Sequence, residues 1–193
     1  MPPAVDFRAR VEELRTLASA KPRPHERAIV TDTLNSKWEG LQSVAVRTLS
    51  KWGDPESRKA LREFWIHIRG RKKGCALRDV VVRALAENAK EEDAPLLLDL
   101  FFDAHKDLDR SPKRWHNLTG TLRRLPVAVV GARILQESRS EDAMRRRAAL
   151  AIAEMLPSAE YAALLTRMAQ DEDGEVAAMA HSRERYLVWE AGR

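Results

Sequence analysis

Apolar side chains between residues 36 and 70 recur every three or four positions, which is the spacing of one face of an α-helix. The pattern breaks once, at Gly53-Asp54-Pro55. A glycine suits the end of one helix, and an aspartate followed by a proline suits the start of the next. The segment is therefore predicted to form a hairpin of two helices, each with one apolar face. These faces are Leu41, Ala45 and Leu49 in the first helix, and Leu61, Phe64, Trp65 and Ile68 in the second.

The start of this hairpin carries a second local signal. Ser36 and Glu39 have the spacing of a capping box, in which each side chain accepts a hydrogen bond from the other residue's backbone N–H. We therefore expect Ser36 to cap the first helix.

The hairpin pattern repeats along the chain. A shift of 36 residues places all seven stripe residues on apolar residues, and a shift of 103 places Ala45, Leu49 and Leu61 on Ala148, Ile152 and Leu164. The shift of 103 also places Ala60 and Trp65 on Ala163 and Met168. Neither superposition needs a gap, so the sequence predicts an internal repeat of helix pairs. The equivalents at the shift of 36 are Leu77, Val81, Leu85, Leu97, Leu100, Phe101 and Ala104.

The remaining segments complete an all-α prediction. A degenerate pair precedes the hairpin, a compressed pair bends sharply at Pro126, and a last amphipathic helix covers the end. We expect a single domain over residues 1–193, built from about five antiparallel helix pairs and a closing helix. The predicted pairs are 5–35, 36–70, 74–107, 111–138 and 140–171, and the closing helix is 174–189.

These residues resemble a known repeat family. The shared pattern is an alanine and a leucine four residues apart, a Gly-Asp turn, and an Ala-Leu step on the second helix. It resembles the HEAT repeat, particularly its short bacterial form, over about residues 36–170. The resemblance implies a right-handed α-solenoid with first helices on its convex side and second helices on its concave side. Partners of that family usually bind the concave face or an edge. The residues that carry the resemblance are Ala45, Leu49, Gly53, Asp54, Ala60 and Leu61.

Composition narrows the class of protein. Hydrophobic residues make up 44% of the chain and charged residues 33%, which is typical of an ordered globular protein and not of a disordered one. The single cysteine, Cys75, excludes an internal disulfide framework and a cysteine-based zinc site. No apolar run approaches the roughly 20 residues of a membrane-spanning helix. With no apolar signal segment near the N-terminus, we expect a cytoplasmic protein without membrane contact.

Candidate chemistry is sparse in this sequence. The five histidines are scattered without a metal-ligand spacing, and Gly70 to Gly74 lacks the residues of a phosphate-binding loop. Cys75 follows three basic residues at a predicted helix start, which favours a thiolate, but no histidine or acid stands at a supporting spacing. We expect Cys75 to be structural and the protein to lack catalytic residues, metal and cofactor.

The concave side supplies the first functional hypothesis. Positions beside the buried stripes of two successive second helices would face a groove that is partly apolar and carries mixed charge. Such a surface is typical of a protein interface. We expect a non-catalytic adaptor or scaffold that holds a segment of a protein partner. The candidate residues are Arg62, Glu63, Ile66, Leu98, Asp99 and Phe102.

The second hypothesis is nucleic-acid binding, since 34 Lys and Arg exceed 29 Asp and Glu, for a net charge of +5. Basic clusters fall where one helix pair passes to the next, and in a solenoid they would share one rim. Alkylpurine DNA glycosylases, which are also built on HEAT-like repeats, mark the catalytic extreme. Here only Trp65, Trp115, Asp99 and Asp103 are comparable, and no tryptophan lies within a helical turn of either aspartate. The rim candidates are Arg69, Arg71, Lys72, Lys73, Lys113, Arg114, Arg145 and Arg146.

Overall fold

The computed structural model describes residues 6–70, 75–104 and 112–191, with side chains outside residues 75, 104, 112–116 and 187–191. Within those ranges every regular element is helical and no strand occurs. This confirms the all-α prediction. None of the helices found there combines the length and apolarity needed to cross a lipid bilayer.

The chain divides into two compact units, Met1–Ala89 and Lys90–Arg193. The division passes through the predicted pair 74–107, between its first and second helices. Unit 1 contains α1 (Phe7–Leu17), α2 (Pro24–Thr33), α3 (Glu39–Trp52), α4 (Pro55–Ile68) and α5 (Cys75–Glu87).

Helix α3 is the centre of unit 1, because it packs against α1, α2, α4 and α5. Its predicted end is confirmed. Gly53 has φ of 60°, a left-handed conformation that glycine adopts without steric cost. Asp54 then caps α4 by accepting hydrogen bonds from the N–H groups of Glu56 and Ser57, and Pro55 occupies the first turn.

The predicted capping box at Ser36 is wrong. Helix α3 begins at Glu39 and its N-cap residue is Trp38, which makes no side-chain capping bond. The Ser36 hydroxyl instead accepts a hydrogen bond from the Trp38 N–H at 3.2 Å. The hydroxyl therefore closes a short turn ahead of the helix, and the chain enters α3 two residues later than predicted.

The predicted apolar stripes form the core of unit 1. Leu49 and Ala45 of α3 have no exposed surface, and all four predicted residues of α4 are buried. Trp52 is half-buried at the end of α3 and donates its indole N–H to the Leu17 carbonyl. Burial of this kind is the main stabilising term for short helices. The buried residues that α5 adds are Leu77, Val81, Val82, Ala84, Leu85 and Ala86.

Unit 2 is organised around α6 (Ala94–Ala104), which packs against α7 (Pro112–Leu122), α8 (Val127–Glu137) and α9 (Ala143–Ile152). Pro126 occupies the N-cap position of α8, as its predicted role in a sharp passage requires. The buried core includes Leu118, Leu122, Val130, Ile134, Ala148 and Ile152.

The last two helices are α10 (Ser158–Met168) and α11 (Gly174–Ala191). Helix α11 packs against α10 and α9. Val176 and Ala180 are its buried contacts. One predicted core position is wrong: Ala163, the equivalent of Ala60, is exposed on α10.

Candidate functional site

Three of the predicted partner-binding residues lie on one helix, α4. Ile66, in the last turn of α4, has 59% of its surface exposed. Glu63 is exposed beside it and lies 3.9 Å from the Lys59 ammonium, and Arg62 is half-buried. Glu63 and Ile66 are therefore accessible to a partner, and Arg62 is partly accessible.

Two predicted apolar anchors are inaccessible. Leu98 is 3% exposed and Phe102 is fully buried, because three other helices of unit 2 pack around α6. The Phe102 ring also contacts Phe101 edge to face, and the Arg133 guanidinium lies 5.8 Å from its centroid. Burial excludes both side chains as exposed anchors, and Asp99 alone of the three α6 candidates remains exposed.

The predicted basic rim is only partly described. Arg69 is exposed at the end of α4. Arg71, Lys72 and Lys73 lie outside the described residues, as do the side chains of Lys113 and Arg114. The structural description of the rim therefore depends on Arg69, Arg145 and Arg146.

Arg146 is a buried structural residue. Its side chain is 8% exposed, and the guanidinium bonds both carboxylate oxygens of Asp171, at 2.9 and 2.8 Å. It also donates to the carbonyls of Ser140 and Glu141. The bonds to Asp171 raise the pKa of Arg146 although burial opposes this, so its charge is permanent. With its donors engaged inside the unit, Arg146 cannot serve as the predicted rim contact.

Arg145 belongs to an ion-pair cluster that joins three helices. It donates to buried Glu137 at 2.9 and 3.1 Å and to Asp103 at 3.0 Å. Arg133 donates to the same Glu137 at 2.8 Å and to Asp99 at 2.9 Å. Burial lowers the pKa of Arg145, but its carboxylate partners outweigh that effect and raise it. The two aspartates compared above with a glycosylase site are thus each paired with an arginine.

Unit 1 contains a groove between α3 and α5. The sequence patterns did not predict it. The cavity has a volume of about 240 Å³. Val80 and Ala84 form an aliphatic part of its lining, and Arg47, Lys51 and Arg83 bring three cations to it. A concave site with an apolar lining and a few convergent polar groups is the usual form of a ligand site in a protein.

The electrostatics of the groove are uneven. Arg47, Lys51 and Arg83 are exposed, and their side chains form no ion pair or hydrogen bond within the part of the chain that the structure describes. Glu87, the one acid of the lining, accepts a hydrogen bond from the Ser50 hydroxyl at 2.9 Å. The groove therefore offers three unneutralised positive charges to solvent.

A sequence signal for this groove existed. The 36-residue shift that aligns the apolar stripes also places Arg47 on Arg83, so two equivalent helices carry arginine at the same position. Lys51 lies four residues after Arg47 and shares its helical face. The signal was missed because these residues lie on first helices, which the family resemblance assigns to the convex side.

Metal chemistry has no candidate in residues 6–70, 75–104 and 112–191, where no three His, Cys, Asp or Glu side chains cluster in a way that could hold an ion. His25, His67 and His181 are exposed. Cys75 begins α5, and its side chain lies outside the described set.

Comparison with known proteins identifies no family for this chain. No protein-family model matches the chain, and no curated protein sequence does. Among solved structures, the crystal structure of an engineered protein is similar over 93% of this chain and 90% of that chain, with 15% sequence identity and a TM-score of 0.49. At this level the similarity supports no conclusion about ligand or partner.

Proposed function

We propose that this protein is a non-catalytic adaptor that holds a segment of a protein partner. The observation that carries the proposal is the α3–α5 groove of unit 1, in which three exposed cations surround an aliphatic lining. Interfaces commonly combine a desolvated apolar patch with charged groups that orient the partner.

Contacts at the end of α3, which forms one wall of the groove, support this role. Arg27 of α2 donates to both oxygens of Asp54 at 2.9 and 3.1 Å, and its guanidinium lies 5.7 Å from the centroid of the Trp52 ring. The bonds fix the turn between α3 and α4. A groove held in place before binding loses less entropy when a partner segment enters it.

The α4 face is a second contact in this proposal. Ile66 would supply an exposed apolar side chain there, with Arg62 and Glu63 beside it to orient the partner. The buried residues Leu98 and Phe102 have no part in it.

The proposal includes the architecture expected from the resemblance, a HEAT-like right-handed α-solenoid, in a cytoplasmic protein. Within unit 1, α3 packs against both α1 and α5, which is the succession of first helices that such a stack requires. A globular chain of this length has a radius of gyration of about 16 Å. Small-angle X-ray scattering of the monomer should give a clearly larger value, whereas about 16 Å would contradict the solenoid.

The adaptor role is tested by crosslinking in the source cell. A photoreactive amino acid replaces Lys51 in the groove and, in a control variant, replaces Ala28, which is exposed on α2. We expect a discrete protein adduct from position 51 alone, and its loss when Arg83→Glu is added. Adducts with nucleic acid would favour the alternative reading of the basic charge, and equal adducts from both positions would contradict a specific groove.

A further inference from the structure

Three cations without a described ion-pair partner lie together at the α3–α5 groove, among the residues of unit 1 that the structure describes. Arg27 pairs with Asp54, whereas the three cations of the α3–α5 groove have no described carboxylate partner. Like charges that lie close together repel one another, and an anion that enters between them is attracted by all three. The groove is therefore suited to an anionic ligand.

We propose that the α3–α5 groove binds the carboxylates of an acidic peptide segment, with an apolar side chain of that segment against half-buried Val80. The inference rests on the proposed adaptor function and names the chemistry of the segment. Guanidinium groups match carboxylates because two parallel N–H donors meet two oxygens. Arg47 and Arg83 supply such groups, and Lys51 adds a point charge.

An acidic peptide fits this lining better than a nucleic acid does. Nucleic-acid affinity depends on neutralising many successive phosphates, and the groove offers only three cations. The aliphatic side chain of Val80 gains nothing from contact with a phosphate backbone, but it can bury an apolar side chain of a peptide.

The repeat also indicates how far apart two acidic residues of the peptide should lie if one binds Arg47 and the other binds Arg83. Arg47 and Arg83 occupy equivalent positions on packed helices, and axes of such helices lie about 8–10 Å apart. A polyproline-II segment returns to the same side every third residue and rises about 3.1 Å per residue. Two acidic residues three positions apart would therefore lie about 9 Å from each other on one side of the segment.

The test uses the full chain and a fluorescent hexapeptide of sequence PEPLEP, with anisotropy measured at low ionic strength. The double variant Arg47→Gln, Arg83→Gln should bind it at least about fivefold more weakly than the unaltered protein. The matched control Arg8→Gln, Arg139→Gln removes two exposed arginines outside the groove and should change affinity by less than about twofold. The peptide PQPLQP should lose binding to the same extent as the groove variant.

Several results would overturn the inference. These are no binding of PEPLEP, equal binding of PQPLQP, equal weakening by both double variants, or displacement of the peptide by a short DNA duplex that binds more tightly. Far-UV circular dichroism melts of both variants establish that they are folded. If PEPLEP fails while the crosslink from position 51 still captures a protein, the acidic chemistry is wrong and the adaptor role survives. Loss of that crosslink as well would remove both.

Discussion

Arg146 and Asp171 form a bidentate ion pair in unit 2, with the guanidinium Nε 2.9 Å from Oδ2 and Nη2 2.8 Å from Oδ1. Both side chains are almost fully buried. The same guanidinium holds the carbonyls of Ser140 and Glu141, which precede α9. One side chain thus ties the chain before α9 to the chain between α10 and α11.

Replacing Arg146 with methionine should strongly destabilise unit 2. The change keeps much of the side-chain volume but leaves the Asp171 carboxylate buried without its partner. Breaking one side of a buried pair costs about 3–5 kcal/mol. Urea denaturation followed by circular dichroism measures the free energy of unfolding. The control Arg139→Met, at an exposed position, should change it by less than about 0.5 kcal/mol.

A double-mutant cycle that combines Arg146→Met with Asp171→Asn measures the interaction free energy of the two side chains, apart from their contacts with other residues. Because the two side chains share two hydrogen bonds, the cycle should give a coupling free energy of about 1–3 kcal/mol. Additive effects of the two substitutions would contradict the ion pair seen here.

Asp54 should make stability depend on acidity. Burial raises the pKa of this carboxyl, but hydrogen bonds from Ser57 and Arg27 outweigh it and lower the pKa to about 2. A lowered pKa stabilises the fold above the ordinary value near 4, and that contribution is lost as the pH falls toward 2. Asp54→Asn keeps an oxygen for the helix cap and removes the charge. Relative to the unaltered protein, the variant should be less stable by about 1–2 kcal/mol at pH 6, and most of that difference should disappear as the pH falls to about 2.

The measurement is urea denaturation at a series of pH values. A constant difference between Asp54→Asn and the unaltered protein across the whole range would show that the charge of Asp54 is not the cause.

Gly53 should not tolerate alanine. Its φ of 60° is unfavourable for a residue with a Cβ, and that Cβ would lie 2.8 Å from the Asn88 Oδ1 atom. Asn88 donates to the Ser50 carbonyl, so its displacement would also disturb a bond between α3 and the end of α5. We expect Gly53→Ala to cost about 2 kcal/mol in the free energy of unfolding.

Gly70 provides the matched control for this substitution. A Cβ at Gly70 meets no atom within 4 Å and its φ is not positive, so Gly70→Ala should be close to neutral. In an Asn88→Ala background the cost of Gly53→Ala should fall to the backbone part, about 1 kcal/mol. An unchanged cost in that background would exclude the contact with Asn88.

Leu49 tests the repeat core directly. It is fully buried on α3, the central helix of unit 1, and Leu49→Asp places a charge there without a partner. The loss should exceed about 4 kcal/mol and abolish the cooperative thermal transition of unit 1. Ala28→Asp introduces the same charge at an exposed position of α2 and should leave the transition in place. Equal tolerance of both changes would contradict the assigned core.

Local sequence signals determined the helices because the groups that form a helix end are neighbours in the chain. Gly53, Asp54 and Pro55 end one helix and start the next within three residues, and the spacing of Leu41, Ala45 and Leu49 fixes the buried face of α3. The capping box predicted at Ser36 did not form because its hydroxyl accepts from the Trp38 N–H in a turn before the helix, and the spacing of Ser36 and Glu39 does not distinguish the two arrangements.

Which surfaces stay open was decided only by tertiary structure. The sequence marks Ile66 and Phe102 as equivalent positions, yet one is exposed and the other is enclosed by the helices around α6. Arg146 belongs by sequence to a basic cluster, but its partner stands 25 residues away and becomes a neighbour only after folding. Periodicity specifies which face of a helix is apolar, since that depends on residues a turn apart. Whether another helix covers a given face, or a distant acid neutralises a given base, depends on packing between segments that the local pattern does not encode.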